Sequence, residues 1–283
     1  MKVLVTFALD HEFGPWRRMR GFRRMVQGSH PCYEARVGAS QVRVLLTGVG
    51  CKTAGDAIRA GFRWSPDVVI SSGFAGALRP VYGRGAILAA RRVFDERLDP
   101  RFAPESDRSL LRSASEQGAA PVEAFYTRDT ICLTAHDKRL LSPRADAVEM
   151  ESSIVMSCAQ RELVPAIALR AISDTSDEDL PFDFNKVLTG GGQVSISRVL
   201  GQVALGPRSL RALVRLSTQS RVVAESLGRF LDTYVGRLAL EQPEGRRPGL
   251  GLPVDRGGRF GNRLNHREQR AIGGSKGHEV RGG

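Results

Sequence analysis

The chain has 283 residues, of which 41% are hydrophobic, 25% charged and 6% aromatic, a composition that excludes a disordered or fibrous protein. No apolar run approaches 18 residues, so no transmembrane helix is expected, and the scattered Cys32, Cys51, Cys132 and Cys158 form neither a metal-ligand spacing nor a disulfide framework. The formal charge is +12, from 42 basic residues (five of them lysine) against 30 acidic. A nucleic-acid or membrane surface is one reading of that excess; an arginine-rich codon bias plus a basic tail is the plainer one. Reduced thiols point to a cytoplasmic protein. The five histidines, at 11, 30, 136, 266 and 278, are too dispersed to imply a metal.

Residues 2–8 read as a buried strand, since the apolar stretch is short for a signal-peptide core and Asp10, His11 and Glu12 follow at once. A carboxylate after that strand is either a general base or ligand anchor, or an acidic first turn of the next helix. Arg17, Arg18, Arg20, Arg23 and Arg24 then fall on a first helix. Strand 42–47 ends in Gly48-Val49-Gly50, which lets backbone approach a ligand although the third glycine of a dinucleotide fingerprint is missing. Helix 51–63 and strand 67–72 follow. Ser71-Ser72-Gly73-Phe74-Ala75-Gly76-Ala77 then makes either a backbone-lined pocket wall or a tight strand-to-helix turn.

Strand 86–94, helix 107–117 and strand 122–127 lead to a helix over 147–162. It opens with Ala147-Val148-Glu149-Met150-Glu151-Ser152, two carboxylates that leave different sides of a helix, so that one can face a pocket and hold a vicinal diol. Strand 165–171 runs into Arg170-Ala171-Ile172-Ser173-Asp174, and an aspartate at a strand mouth can serve as a general acid. Residues 206–238 read as two amphipathic helices, Leu210, Leu213, Val214 and Leu216 opposing Arg208, Arg211 and Arg215. They either pack on the sheet or dock on a membrane. Residues 241–283, with 11 glycines and little apolar periodicity, are expected to be a disordered basic tail. The fold class is α/β: a three-layer αβα sandwich with a mostly parallel, mixed sheet over 1–240, including a helical extension at 206–240.

Ala147–Glu151 together with Arg170–Asp174 resemble the purine nucleoside phosphorylase and nucleosidase superfamily over residues 1–190. Gly73-Phe74-Ala75-Gly76 falls at that family's small-residue turn, and Glu12 where the methylthioadenosine/S-adenosylhomocysteine nucleosidases carry an N-terminal glutamate. The resemblance implies cleavage of the N-glycosidic bond of an adenine nucleoside. Asp174 would protonate purine N7, and Glu151 would bind the ribose 2′- and 3′-hydroxyls over Met150. Glu12, helped by Arg170, would orient the nucleophile. It also puts Glu149, Ser173, Ser72, Gly73 and Phe74 among the substrate-binding residues, with Ile131 and Cys132 lining the base pocket. It implies no cofactor, water or phosphate as nucleophile, and a homodimer.

Phe74 stands where the nucleosidases have a serine, Ile131 where an aromatic stacks on the base, and Arg128 replaces a glycine. The hopanoid-associated branch is similar in its apolar residue at the Phe74 position and its C-terminal helical extension. That similarity implies adenosylhopane, a lipid-linked nucleoside, as substrate. It also implies peripheral contact of 206–238 with the inner membrane face, with Arg17–Arg24 meeting phosphate or anionic lipid. A non-catalytic nucleic-acid or membrane-binding protein on this fold is the reading from another class, though nucleic acid is not an expected partner.

Overall fold

The computed structural model describes residues 1–25, 30–97, 99–181, 185 and 207–241, without the side chains of 207–214, 216 and 241. The expected tail, helical pieces before 207, and the stripe of Leu210, Leu213, Val214 and Leu216 lie outside what is described.

The strands are β1 (Lys2–Phe7), β2 (Arg23–Met25), β3 (Cys32–Val37), β4 (Ser40–Leu46), β5 (Val68–Ser71), β6 (Phe74–Ala77), β7 (Ile87–Asp95), β8 (Ala120–Thr127), β9 (Ala147–Glu149) and β10 (Ala166–Asp174). The helices are α1 (Asp10–Arg20), α2 (Cys51–Phe62), α3 (Arg108–Glu116), α4 (Ala135–Leu141), α5 (Ser152–Arg161) and α6 (Pro207–Glu241). Among the described residues they form one sheet in the order β2-β3-β4-β1-β5-β10-β6-β9-β8-β7, and β10 also pairs with β7. Pairings β1–β4, β1–β5, β5–β10, β6–β10, β7–β8 and β8–β9 are parallel; β2–β3, β3–β4, β6–β9 and β7–β10 are antiparallel.

Strand alternation builds the three layers. Val3, Val5 and Phe7 of β1 point to one face, where Phe13 and Trp16 of α1, Leu110 and Ala114 of α3, and Leu227, Leu231 and Val235 of α6 complete the core. Leu4 points to the other, where it meets Ala57 and Ile58 of α2 and Val155 and Met156 of α5. Strands apolar on both faces are what a covered, largely parallel sheet requires.

Four expectations are corrected. The helix over 147–162 is β9, a turn at Met150–Glu151, and α5. Ala147 and Val148 are claimed by two neighbours, β6 on one side and β8 on the other, which a three-residue apolar run cannot advertise. The strand-end turn at 71–77 contains a strand of its own, β6. The pair of helices at 206–238 is one 35-residue helix. Gly228 within it serves close packing: a Cβ there would lie 3.2 Å from the Trp16 backbone nitrogen. The arginine cluster divides, with Arg17, Arg18 and Arg20 on α1 and Arg23 and Arg24 on β2.

α6 is tied down by side chains as well as by its apolar face. Trp16 donates to Asp232 at 3.1 Å, Arg20 pairs with Asp232 at 2.5 Å, and the buried Tyr234 hydroxyl donates to the Leu110 carbonyl at 2.9 Å. Among the described residues, no helix is long and apolar enough to cross a membrane. The four cysteines are unpaired.

Candidate active site

A cavity of about 1030 Å³ opens beyond the carboxyl ends of β1 and β10, where ligands of open α/β sheets are bound. Of the residues singled out in the sequence, Glu12, Phe74, Ile131 and Cys132 line it. So do Glu149, Met150, Glu151, Ser173 and Asp174. Ser72, Gly73 and Arg170 stand behind its wall.

Glu12 lies in the first turn of α1 and is buried. Its two oxygens accept the Leu9 and Phe74 backbone N–H groups, each at 3.0 Å, which fixes the carboxylate and leaves each oxygen a second lone pair. Gly73 makes this possible: its φ is +142°, and a Cβ there would come within 3.1 Å of Glu12 Oε1. Phe74 turns its ring to His11, edge-on at 5.5 Å.

Glu151 is the N-cap residue of α5, and its Oε1 accepts the Gly50 N–H at 2.9 Å, at the N-terminus of α2. Burial pushes its carboxyl up to about 8; the adjacent Glu149 carboxylate adds to the rise, while Arg170 and the Gly50 N–H oppose it. Glu149 is committed to the protein. Its Oε2 accepts from Arg170 at 2.5 Å, from the Ser152 N–H at 2.7 Å and from the Glu151 N–H at 3.0 Å, and its Oε1 accepts from the Thr127 hydroxyl. It caps α5 and thereby sets Glu151. Arg170 is buried against Glu149, with Glu151 at 3.8 Å and Ser71 at 3.5 Å. Glu149 and Glu151 are its acidic partners among the described residues, while Glu12, which it was expected to assist, is held by the Leu9 and Phe74 N–H groups.

Asp174 ends β10 at a bulge, where the register against β6 shifts between Ile172 and Asp174. The shift aims the carboxylate at Gly76, on which a Cβ would meet Asp174 Oδ2 at 2.9 Å. The Ser173 hydroxyl donates to Oδ1 at 2.6 Å. Lys138 of α4, fully buried, brings its ammonium to 2.6 Å from Oδ2.

Ile131 and Cys132 line another part of the cavity, and burial raises the Cys132 thiol. Asn185 holds the Ile131 backbone, its side-chain oxygen accepting from N–H at 2.8 Å and its amide donating to the carbonyl at 3.2 Å.

Sequence reasoning missed Lys138, Arg84 and the α6 wall. Arg84 donates to the Ser173 carbonyl at 2.8 Å and pairs with Glu178. Ser217, Ser220 and Arg221 of α6 face the cavity opposite Arg17 and Arg18 of α1. An isolated lysine in Ala135-His136-Asp137-Lys138-Arg139 carries no signal that sets it apart from a solvated helix face.

The chain is 28% identical over 185 residues to 5′-methylthioadenosine/S-adenosylhomocysteine nucleosidase of Shewanella loihica, covering 56% of this chain and 80% of that one. It is 25% identical over 190 residues to the enzyme of the same name from Shewanella halifaxensis, covering 58% and 82%. The fold matches the crystal structure of Campylobacter jejuni 5′-methylthioadenosine/S-adenosylhomocysteine nucleosidase at a TM-score of 0.65 and 17% identity, over 84% of this chain and 99% of that one. Futalosine hydrolase of Helicobacter pylori matches at a TM-score of 0.65 and 19% identity, over 83% and 97%. The sequence model of the phosphorylase superfamily matches residues 3–193, and the chain belongs to that superfamily of nucleoside-acting enzymes.

Proposed function

We propose that the chain hydrolyses the N-glycosidic bond of an adenine nucleoside. The observation that carries this reading is that three carboxylates, Glu12, Glu151 and Asp174, border one cavity, each immobilised by backbone N–H groups or a neighbouring side chain.

Breaking the bond leaves positive charge on the sugar and sends electrons onto the base. Glu151 accepts the ribose hydroxyls and Glu12 stands ready to polarise a water, and both negative charges favour an oxocarbenium-like sugar. Asp174 passes its proton to N7 of the departing base, so the base leaves neutral. Met150 and Phe74 give the sugar an apolar floor and wall. Water is favoured over phosphate by the charges present. Beside the sugar-facing carboxylates Glu12, Glu149 and Glu151 the nearest cation, Arg170, is already committed to Glu149; Arg18, Arg84 and Arg221 also line the cavity, so the assay is run with and without phosphate.

A second reading concerns the substrate: a nucleoside with a bulky, lipid-like 5′ substituent. The cavity continues past the carboxylates to Ser217, Ser220 and Arg221 of α6, which gives such a group somewhere to go. Adenine release from methylthioadenosine and from adenosylhopane, each with and without phosphate, tests both readings. Release from methylthioadenosine without phosphate is expected. Strict phosphate dependence would overturn hydrolysis, release from adenosylhopane alone would select the second reading, and no release from either would overturn both.

A further inference from the structure

Asp174 is not alone at its end of the cavity. Lys138 reaches it from α4, and its ammonium has three acceptors for its three N–H donors: Asp174 Oδ2 at 2.6 Å, the Thr175 carbonyl at 2.6 Å and the Glu178 carbonyl at 2.8 Å. The side chain is wholly shielded from solvent and does not itself line the cavity. A lysine brought into a protein interior at such cost is held there by what it touches. Here that is one carboxylate and the turn directly after it.

We propose that Lys138 is a positioning residue for proton delivery to the leaving base, acting through Asp174; the proposal rests on the nucleoside-cleaving reading of the site. Asp174 first takes up a proton from water in the cavity; as the glycosidic bond breaks, that O–H bond breaks and a new N–H bond forms on the base. The carboxyl becomes a carboxylate, and its new negative charge appears 2.6 Å from an ammonium that is already oriented and out of water. The ammonium holds Oδ2 in one place through protonation and transfer, so the proton is delivered from a fixed position, and it stabilises the carboxylate that transfer leaves behind. The two carbonyl bonds stop the ammonium from following the carboxylate into the cavity. Ala135 at the start of α4 is bound in turn to Asp179, its N–H donating at 2.7 Å, a second tie between the helix and the segment after β10.

The test separates proton delivery from simple stapling. Methylthioadenosine loses a base that must be protonated; p-nitrophenyl β-D-ribofuranoside loses a phenolate that need not be. Lys138→Met is expected to lower kcat/KM for methylthioadenosine by about 10- to 100-fold more than for the aryl riboside, and Lys138→Arg to restore most of that difference. In an Asp174→Asn background, Lys138→Met is expected to cost nothing further. That double variant leaves no charge unpaired, so it decides the matter even if Lys138→Met alone does not fold. Equal losses on both substrates, or a further loss in the Asp174→Asn background, would overturn the assignment while leaving the nucleosidase reading intact. A wild-type chain that cleaves neither substrate would overturn that reading, and this one with it.

Discussion

Two glycines with no side chain to offer decide where two carboxylates stand. Gly76 lies under Asp174 Oδ2, and Gly73 both adopts a positive φ and abuts Glu12. Gly76→Ala is expected to push Asp174 aside and lower kcat/KM for adenine release about 100-fold. A thermal melt should show the fold intact; unchanged kinetics would show that the carboxylate does not need that position. Asp174→Asn removes the proton itself and is expected to cost about 10²- to 10⁴-fold in the same assay. Glu151 invites a different measurement. With its carboxyl raised from 4.5 to about 8 in the folded chain, the folded state holds a proton there that the unfolded state has already lost. Its contribution to stability is therefore complete below about 4.5 and disappears as pH rises through about 8. Glu151→Gln should flatten that decline in urea titrations across the interval. Ribose hydroxyls favour the ionised form, so a nucleoside analogue should release a proton on binding near neutral pH. Calorimetry in buffers of different ionisation enthalpy reads this directly, and buffer-independent heats would argue against Glu151 as the diol ligand.

At the level of elements, β10 and β9 hold the site together through a buried ion pair. Arg170→Met strands the Glu149 carboxylate, which also caps α5, and is expected to destabilise the chain by about 3–5 kcal/mol in chemical denaturation. A loss below about 1 kcal/mol would mean that Thr127 and the α5 N–H groups hold Glu149 without it. β1 and β5 were legible because each is an apolar, β-branched run. Glu12, Glu151 and Asp174 stood out in the sequence as carboxylates at strand or helix ends within motifs of a known family, and the structure brings all three to one cavity. The Met150 segment was misread because its strand is only three residues long and its partners are remote in sequence. The hairpin of β2 and β3 was missed for a related reason: an edge carrying Arg23, Arg24 and Glu34 has no apolar alternation to betray it. Lys138 was illegible because its burial comes from the turn that follows β10, which no local pattern encodes.

Across the whole molecule, α6 packs its far half against α1, α3 and the sheet while its near half borders the cavity. Leu227, fully buried on the packed half, is expected to cost about 2–5 kcal/mol when cut to Ala, read as a drop in the denaturation midpoint. The larger integration comes from β10, which bonds to β5, β6 and β7 and carries both Arg170 and Asp174. Its amides are bonded to alternate flanks, Ala171 N–H to the Gly73 carbonyl and Ile172 N–H to the Ala86 carbonyl, so exposing the whole run requires both flanks to let go. Hydrogen–deuterium exchange there should thus report rupture of the sheet itself, and a bound nucleoside should slow all of those amides by one common factor.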